Sequence, residues 1–335
     1  MTLRRTLALL MVLALAACGQ KPQGPAPGEI RFSILSVETA HNLQTYWGPI
    51  LADMQKATGL KVTPFYSTNY TALIEAMRFK QTDVGWFSNE SGLEAVRRAG
   101  GEVFARTTDP GGHDGYHSVL IVNAGSGLTL ERILKCDKSL TFGLGDAKST
   151  SGTLVPMTYL FGLKGIKPEL CFKQVHSGAS HMANMMSVAH GQLDVATNND
   201  KGLKLAAQRG APEAAQVKVV WVSPLLPEDP IIWRKDLDPA VKEKVRQFFL
   251  TYGQGDTPEA AAARAKLAKI SIGGFKPADD SHLLPVREIE ATRAWLDAKA
   301  AGDAAKTAAA KRALDDIKTQ REALEGRTGA PAGAQ

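Results

Sequence analysis

What this sequence has little of limits what the protein can be. Its 335 residues include only three cysteines, and no segment combines basic residues with interleaved aromatic rings. The formal net charge is a mild +6. No predicted helix carries a pair of histidines at metal-ligand spacing. We therefore expect no nucleic acid partner, no metal site and no cofactor.

Long hydrophobic runs are also scarce, and the one at the N-terminus is too short to cross a bilayer. It extends from Leu7 to Ala17 behind Arg4 and Arg5, which is typical of an export signal. Small residues directly before Cys18 resemble the bacterial lipoprotein processing site. We predict a lipoprotein signal peptide over residues 1–18, lipidation of Cys18, a membrane-anchored periplasmic protein, and a Pro- and Gly-rich tether over 19–28. Ordinary signal peptidase cleavage near Ala17 remains the alternative.

The other two cysteines, Cys136 and Cys171, would meet an oxidising compartment after export. Each stands just before a strand-like run, one starting near Leu140 and the other near Phe172. If these strands are parallel neighbours, both thiols lie at the same edge of the sheet. We predict a disulfide between them, with two unpaired thiols as the alternative.

Strand and helix patterns alternate along the chain, which is typical of parallel sheets covered by helices. In the first block we predict strands at 30–36, 61–66, 84–87 and 102–106, with helices at 39–58, 70–80 and 90–100. A second block has strands near Leu140, near Phe172 and at 194–197. Apolar runs at 117–123 and 217–222 lead into and out of it, and 230–234 returns to the first block.

Two crossings between the blocks indicate two α/β lobes that enclose a cleft. The first lobe is predicted to span residues 29–121 and 223–286, and the second lobe residues 122–222. Ligands of open α/β sheets bind at the carboxyl ends of the strands, so polar residues at these ends are the candidates for a site.

The strongest candidate is Ser149-Thr150-Ser151-Gly152, which lies between a strand-like run and a helix-like run at 153–164. Free backbone N–H groups and the positive end of the helix dipole favour anions there. Pro156 predicts a helix start at Ser151 or Gly152. The segment is not a nucleotide-binding P-loop, because Phe142 and Ala147 stand where that motif needs glycine. The alternative is an ordinary helix cap.

Other polar residues follow predicted strand ends. His181 opens a helical run whose methionines are best placed in the core, and Lys201 follows Asn198, Asn199 and Asp200. Tyr70 lies at a helix start, and Tyr116 immediately precedes a crossing strand. Each residue also has an ordinary structural alternative. His181 would be a capping or surface histidine, Lys201 would be solvated, and each tyrosine would be a buried ring whose hydroxyl has one hydrogen-bond partner.

Several motifs, in order, resemble the phosphonate-binding proteins of ABC importers from about residue 30 to about residue 290. They are Gly115-Tyr116-His117-Ser118, Leu140-Thr141-Phe142-Gly143, the serine-rich run from Ser149 to Pro156, Asp194 to Asn199, and Asp229 to Arg234. The resemblance implies a two-lobe periplasmic-binding-protein fold of type II, a non-catalytic function, and permease subunits as partners.

The resemblance also implies residue roles. Ser149, Thr150 and Ser151 would hold the oxygens of a phosphonate or related phosphorus oxyanion. Tyr70 and Tyr116 would approach from the first lobe, and His181 would contact the oxyanion. Asp229 would face the substituent on phosphorus.

Lys201 departs from the family pattern. Relatives that take aminoalkyl phosphonates carry an acid at this place, two residues after the matching Thr-Asn-Asn triplet, whereas here the acid is displaced to Asp200. A lysine facing the cleft would repel an ammonium group. We therefore predict at least tenfold weaker binding of an aminoalkyl phosphonate than of an amine-free one, with Asp200 and Asp229 as the residues able to neutralise the lysine.

The C-terminal region lies outside this argument. Residues 287–325 are rich in alanine and charged residues with sparse apolar positions, which predicts a helical extension with a break at Gly302-Asp303. So few apolar residues need a partner surface, either the first lobe or the same helices of a second copy in a homodimer. Residues 326–335 are predicted to be disordered.

A function from a different class competes with binding. An exported hydrolase of phosphate or phosphonate esters could use Ser149 as nucleophile and His181 as base. The crowd of hydroxyls favours binding over this chemistry.

Overall fold

The structure, a computed structural model, describes residues 28–328 apart from residues 68 and 113. The predicted signal peptide, Cys18, most of the tether and the last seven residues of the predicted tail lie outside the described residues. No helix among the described residues has the length and apolar character needed to cross a membrane.

Strands and helices alternate over most of the chain. The strands are β1 (Glu29–Ile34), β2 (Lys61–Tyr66), β3 (Val84–Trp86), β4 (Gly101–Thr108), β5 (Gly115–Tyr116), β6 (Ser118–Asn123), β7 (Thr141–Gly145), β8 (Gln174–Ala179), β9 (Val195–Asn199), β10 (Val217–Val222), β11 (Leu226–Pro227), β12 (Pro230–Arg234) and β13 (Gly274–Pro277). The α-helices are α1 (Ala40–Thr58), α2 (Tyr70–Arg78), α3 (Asn89–Arg98), α4 (Leu130–Ile133), α5 (Pro168–Cys171), α6 (His181–Ala189), α7 (Asp200–Gln208), α8 (Pro239–Thr251), α9 (Pro258–Ala268), α10 (Leu284–Ala300) and α11 (Ala304–Thr328). Two π-helical segments, Thr150–Leu154 and Pro156–Phe161, stand between β7 and α5.

The first lobe is built on a six-stranded sheet in the order β13-β4-β12-β3-β1-β2. β1 pairs in parallel with β2 and β3, whereas β12 runs antiparallel to its neighbours. In the core between this sheet and helices α1 and α8, the buried ring of Phe32 stacks on Phe249 and contacts Trp47 at a tilt. Burial of such large rings is the main source of stability in a lobe of this size.

The second lobe has a five-stranded sheet in the order β10-β6-β9-β7-β8. β6 pairs with β9 along its length, from Ser118 with Asn199 to Val122 with Val195. The predicted boundary at residue 121 therefore cuts a strand that belongs wholly to the second lobe. The chain crosses between the lobes at β5 and β11, which form a separate two-stranded antiparallel ladder. The predicted two-lobe α/β fold is confirmed.

Cys136 and Cys171 are joined by a disulfide. They precede β7 and β8, which are parallel neighbours, so both thiols lie at one edge of the second sheet. The disulfide was predicted from this same arrangement of two parallel neighbouring strands. The bond closes a loop within the second lobe and lies before the start of β7, whereas residues 149–152 follow the end of that strand.

The C-terminal helices α10 and α11 form a hairpin that turns at Gly302, where φ is +71°. The sequence predicted contact with the first lobe or with a second copy, and the structure adds contact with the second lobe. Arg97 of α3 pairs with Glu290 at 2.7 Å, and Arg293 donates to the carbonyl of Met157 in the second lobe at 2.7 Å. α10 thus contacts both lobes. α11 continues through Thr328, so the helix enters the region predicted to be disordered.

Candidate functional site

The serine junction (residues 149–152) connects β7 to the first π-helical segment. Ser149 caps the segment, its hydroxyl accepting a hydrogen bond from the Gly152 N–H at 3.0 Å. Among the described residues, the N–H groups of Thr150 and Ser151 have no protein acceptor. A helix start with two free donors is a suitable anion site.

The helix begins at Thr150, one or two residues before the predicted start. The reason is its π geometry, in which Leu154 and Val155 bond back five residues. Pro156 consequently falls later in the helix, where its missing N–H leaves the Ser151 carbonyl without an intrahelical donor. The Ser118 hydroxyl donates to that carbonyl at 2.6 Å. Strand β6 thereby helps to hold the serine junction in place.

Strand β9 adds a second support. The Thr197 hydroxyl donates to the Gly152 carbonyl at 2.7 Å and accepts from the Gly145 N–H at 3.1 Å. Gly145 and Gly152 lie so close that a Cβ on Gly145 would come within 2.8 Å of the Gly152 Cα. The two glycines are therefore required by this approach, and the junction is held in place before any ligand arrives.

Thr150 is placed differently from its two serine neighbours. Its hydroxyl accepts a hydrogen bond from the Glu90 N–H of the first lobe at 2.8 Å. Ser149 and Ser151 line the cleft, whereas Thr150 is absent from the lining. The predicted contact between the Thr150 side chain and the oxyanion is therefore not supported, and this hydroxyl instead joins the two lobes.

Tyr70 and Tyr116 line the same cleft from the other side. Burial, followed by nearby carboxylates, raises the pKa of both phenols well above the ordinary value. Both phenols are consequently neutral donors at physiological pH. The Tyr70 N–H donates to Asp146 of the second lobe at 3.0 Å, and Tyr116 donates to Asp229 at 3.4 Å.

His181 begins α6 and is buried, with its Nε2 3.3 Å from the Ser151 hydroxyl. Burial lowers the pKa of the imidazole to about 4, so the ring is neutral at physiological pH. Its Nδ1 has no hydrogen-bond partner among the described residues. The neutral ring therefore adds a hydrogen-bonding dipole beside the serine junction but no charge.

Lys201 lies in the cleft, with only 20% of its side chain exposed, and does not point into solvent. Its ammonium group is 2.7 Å from Oε2 of Glu228, a side chain that is 1% exposed. Glu228 also accepts from the Thr107 hydroxyl at 2.8 Å. Sequence reasoning named Asp200 and Asp229 as neutralising partners and missed Glu228.

The Asp200 carboxylate binds backbone N–H groups instead of the Lys201 ammonium group. Its Oδ1 accepts from the backbone N–H groups of His117 and Lys201, each at 2.9 Å. Asp229 is buried beside the Lys201–Glu228 pair, and burial raises its pKa to about 7 even though Lys201 acts in the opposite direction. Lys201 thus faces two carboxyl groups, Glu228 and Asp229, at the end of the cleft that would hold the substituent on phosphorus.

The lobes are closed on one another around these residues. Arg209 at the end of α7 pairs with Glu38 at 2.6 Å and lies 3.8 Å from the centroid of Tyr46, both in the first lobe. Lys148 reaches Glu90 at 3.4 Å. The enclosed space measures about 100 Å³. Seven of the eight predicted ligand residues line it, Thr150 being the exception.

The described residues contain no group of three or more His, Cys, Asp or Glu side chains suited to a metal ion. Residue 113, four positions before His117, lies outside the described residues. His117 itself is in the crossover region, with its Nδ1 2.8 Å from the Ser223 carbonyl oxygen.

Two α/β lobes, two short crossovers and a closed cleft with an anion site define a periplasmic binding protein. The family model for the periplasmic substrate-binding protein of phosphonate ABC transporters matches residues 32–283, and the chain belongs to this family. It is 41% identical over 261 residues to the phosphonates-binding periplasmic protein of Escherichia coli K12, covering 78% of this chain and 75% of that protein.

Solved structures agree with this assignment. A binding protein component of an ABC phosphonate transporter from Pseudomonas aeruginosa superposes with a TM-score of 0.81 and 38% identity, covering 90% of this chain and 98% of the other. PhnD1 from Prochlorococcus marinus, solved in complex with methylphosphonate, superposes with a TM-score of 0.70 over 79% of this chain and 97% of its own. At 18% identity, that second likeness shows the fold alone.

Proposed function

We propose that this protein captures a phosphonate or related phosphorus oxyanion in the cleft and presents it to the permease of an ABC importer. The observation that carries the proposal is the serine junction, whose two free N–H groups and two hydroxyls lie at the wall of an enclosed cavity. Family membership supports the same conclusion, because relatives are named for binding phosphonates.

The oxyanion would meet neutral donors. In this proposal the N–H groups of Thr150 and Ser151, the hydroxyls of Ser149 and Ser151, and the His181 ring surround the phosphonate oxygens. The neutral phenols of Tyr70 and Tyr116 approach from the opposite wall. Hydrogen bonds to an ionised acceptor are about twice as strong as neutral ones, so such a set holds an anion without a buried cation.

The substituent on phosphorus would face Asp229, Lys201 and Glu228. The tenfold penalty predicted for an ammonium group assumed a lysine without a partner, and Glu228 supplies one. We therefore expect the native protein to discriminate less than tenfold against an amine.

A hydrolase has little support from the geometry. Ser149 uses its hydroxyl as a helix cap, and His181 contacts Ser151 instead. An imidazole whose pKa is lowered to about 4 is a weak base, and none of the described residues orients its Nδ1. Members of this family are binding proteins.

Calorimetric titration tests the proposal. Methylphosphonate, phosphite and phosphate are titrated separately, with sulfate as a control for general anion attraction. We expect saturable one-to-one binding of at least one phosphorus oxyanion, and no release of product from a chromogenic phosphate ester. Equal and weak binding of all four anions would contradict the proposal.

We also propose that a lipid on Cys18 anchors the protein to a membrane. The sequence around Cys18 supports this, and a Cys18→Ser variant should move from the membrane fraction to the soluble periplasmic fraction. A homodimer through the C-terminal helices stays a prediction. Sedimentation of the native protein against a variant ending at residue 283 tests it.

A further inference from the structure

The cleft continues beyond the polar residues into an apolar compartment. One wall comes from the first lobe, with Leu43 and Trp47 of α1 and Ile272. The other comes from the second lobe, with Met182 of α6 and Leu205 of α7. These side chains line the same cavity as Ser151, so the two compartments are continuous.

Arg209 closes the outer end of this compartment. Its guanidinium group stacks on Tyr46 and pairs with Glu38, and it also donates to the carbonyl of Lys269. All three contacts join the second lobe to the first. Arg209 and Glu38 are each less than one-fifth exposed. Arg209 and Glu38 therefore cover part of the opening beside the apolar walls.

The size of the cavity limits what can occupy it. A site for one water needs roughly 10–15 Å³, so about 100 Å³ corresponds to roughly seven to ten heavy-atom positions. A phosphonate group fills about four of these positions. Roughly three to six positions remain, and the walls beside them are mainly hydrocarbon. The indole N–H of Trp47, which is fully buried, has no acceptor among the described residues.

We propose that the preferred ligand carries a hydrocarbon substituent of three to six carbons on its phosphorus. This inference rests on the proposed function and names the ligand class within it. The –PO₃ group is held at the serine junction, Asp229 and Lys201 face the first part of the substituent, and its hydrocarbon end lies between α1 and the pair α6 and α7. The closed pair of Arg209 and Glu38 sets the upper limit on chain length.

The test is a calorimetric series of methyl-, propyl-, hexyl- and decylphosphonate. Each buried methylene contributes about fourfold in affinity, equivalent to about 0.8 kcal/mol. We expect propylphosphonate to bind at least tenfold more tightly than methylphosphonate, and decylphosphonate to bind more weakly than hexylphosphonate. Methylphosphonate binding as tightly as propylphosphonate would overturn the inference but leave the proposed function intact. No binding of any member, nor of phosphite or phosphate, would overturn both.

A matched pair of variants locates the compartment. Met182 lines the cavity, whereas Met186, one turn further along α6, does not. Met182→Gln should reduce the advantage of propyl over methyl at least threefold and leave methylphosphonate within twofold of its native affinity. Met186→Gln should change neither. Equal effects of both variants, or equal weakening of both ligands by Met182→Gln, would overturn the assignment.

Alkyl phosphate monoesters present the same two groups, so a parallel ester series distinguishes the two sources. We expect each phosphonate to bind at least as tightly as the ester with the same number of carbons. Tighter binding of every ester would overturn phosphonates as the ligand class.

Discussion

The two ends of the cleft differ in charge, because one presents neutral hydrogen-bond donors and the other presents charged side chains. The oxyanion end offers hydroxyls, backbone N–H groups and a neutral imidazole. The substituent end contains Lys201, Glu228 and Asp229, of which the first two form an ion pair at 2.7 Å. Unpaired neutral donors cost less to bury in the empty protein than unpaired charges, which need partners. The neutral end should therefore determine affinity, and the charged end should determine selectivity.

The largest effect that we expect is a loss of stability in the second lobe, which contains the serine junction. Replacing Cys136 and Cys171 with serine releases a loop with a sequence separation of 35 residues. The expected loss of stability is about 3–4 kcal/mol in urea unfolding. Ligand affinity at low temperature should stay within twofold, because the disulfide lies at the far edge of the sheet.

Thiol labelling is the companion measurement. In denatured, non-reduced protein neither cysteine should react, and free labelling of both would contradict the disulfide. A loss of affinity beyond tenfold in the double serine variant would show that the neutral end depends on this cross-link.

The next effect tests the neutral end directly. Ser151→Ala removes a donor to the charged ligand, and Thr150→Ala removes the contact between lobes at Glu90. Charge-assisted and neutral hydrogen bonds contribute about 1.5–3 and 0.5–1.5 kcal/mol, so the double variant should lose about 3 kcal/mol, roughly a hundredfold in affinity.

Thr153→Ala is the matched control for this variant. The Thr153 hydroxyl donates to the Gly145 carbonyl at 3.2 Å and does not line the cavity. Its affinity should equal that of the native protein within threefold. An unchanged affinity in the double variant would place the oxyanion elsewhere.

The substituent end should be visible in the pH dependence of stability. Burial raises the pKa of Asp229 from 3.8 to about 7, so the folded state holds an extra proton between these values. Stability from this carboxyl is therefore present at low pH and lost as the pH rises toward 7. From pH 5 to pH 7 the loss is about 2–3 kcal/mol, and Asp229→Asn should remove it.

Urea unfolding of ligand-free native protein and Asp229→Asn at pH 5, 7 and 8 measures this difference. The lowered pKa of His181 gives an opposite slope, stability rising with pH between about 4 and 6.5, and it is common to both proteins. It therefore cancels. Parallel pH profiles for the two proteins would contradict the raised pKa of Asp229.

The smallest effect concerns selectivity. Glu228→Gln leaves Lys201 without its ion-pair partner, and like charges about 4 Å apart repel by about 4 kcal/mol at an effective dielectric of about 20. Screening reduces that figure. We expect 2-aminoethylphosphonate to bind at least tenfold more weakly than propylphosphonate in Glu228→Gln, and less than tenfold more weakly in the native protein.

Lys201→Met is the reciprocal variant. It removes the cation and should improve the relative binding of the amine. If the amine is disfavoured equally in the native protein and in Glu228→Gln, the ion pair has no influence on selectivity.

Local signals in the sequence predicted much of the fold. Alternating strands and helices, the serine junction and the positions of Cys136 and Cys171 all follow from short-range patterns. The misplaced boundary at residue 121 has a simple cause, because β6 is apolar from Val119 to Val122 and a hydrophobic run does not show which sheet it joins.

Contacts between the lobes could not be predicted in the same way. The pairs Lys201–Glu228 and Arg209–Glu38 join residues far apart in the chain, and they depend on how the lobes close. The hydroxyl of Thr150 was misassigned for the same reason. Glu228 did leave one signal, since it stands directly before Asp229 at a predicted lobe crossing.

The crossover strands β5 and β11 have a mechanical consequence. Tyr116 is part of β5, and Asp229 follows β11 by two residues, so two walls of the ligand cavity are also parts of the pivot. A ligand that contacts these residues therefore contacts the crossover region as well as the walls of the two lobes. We expect the angle between the lobes, and with it the surface presented to a permease, to differ from one ligand to another.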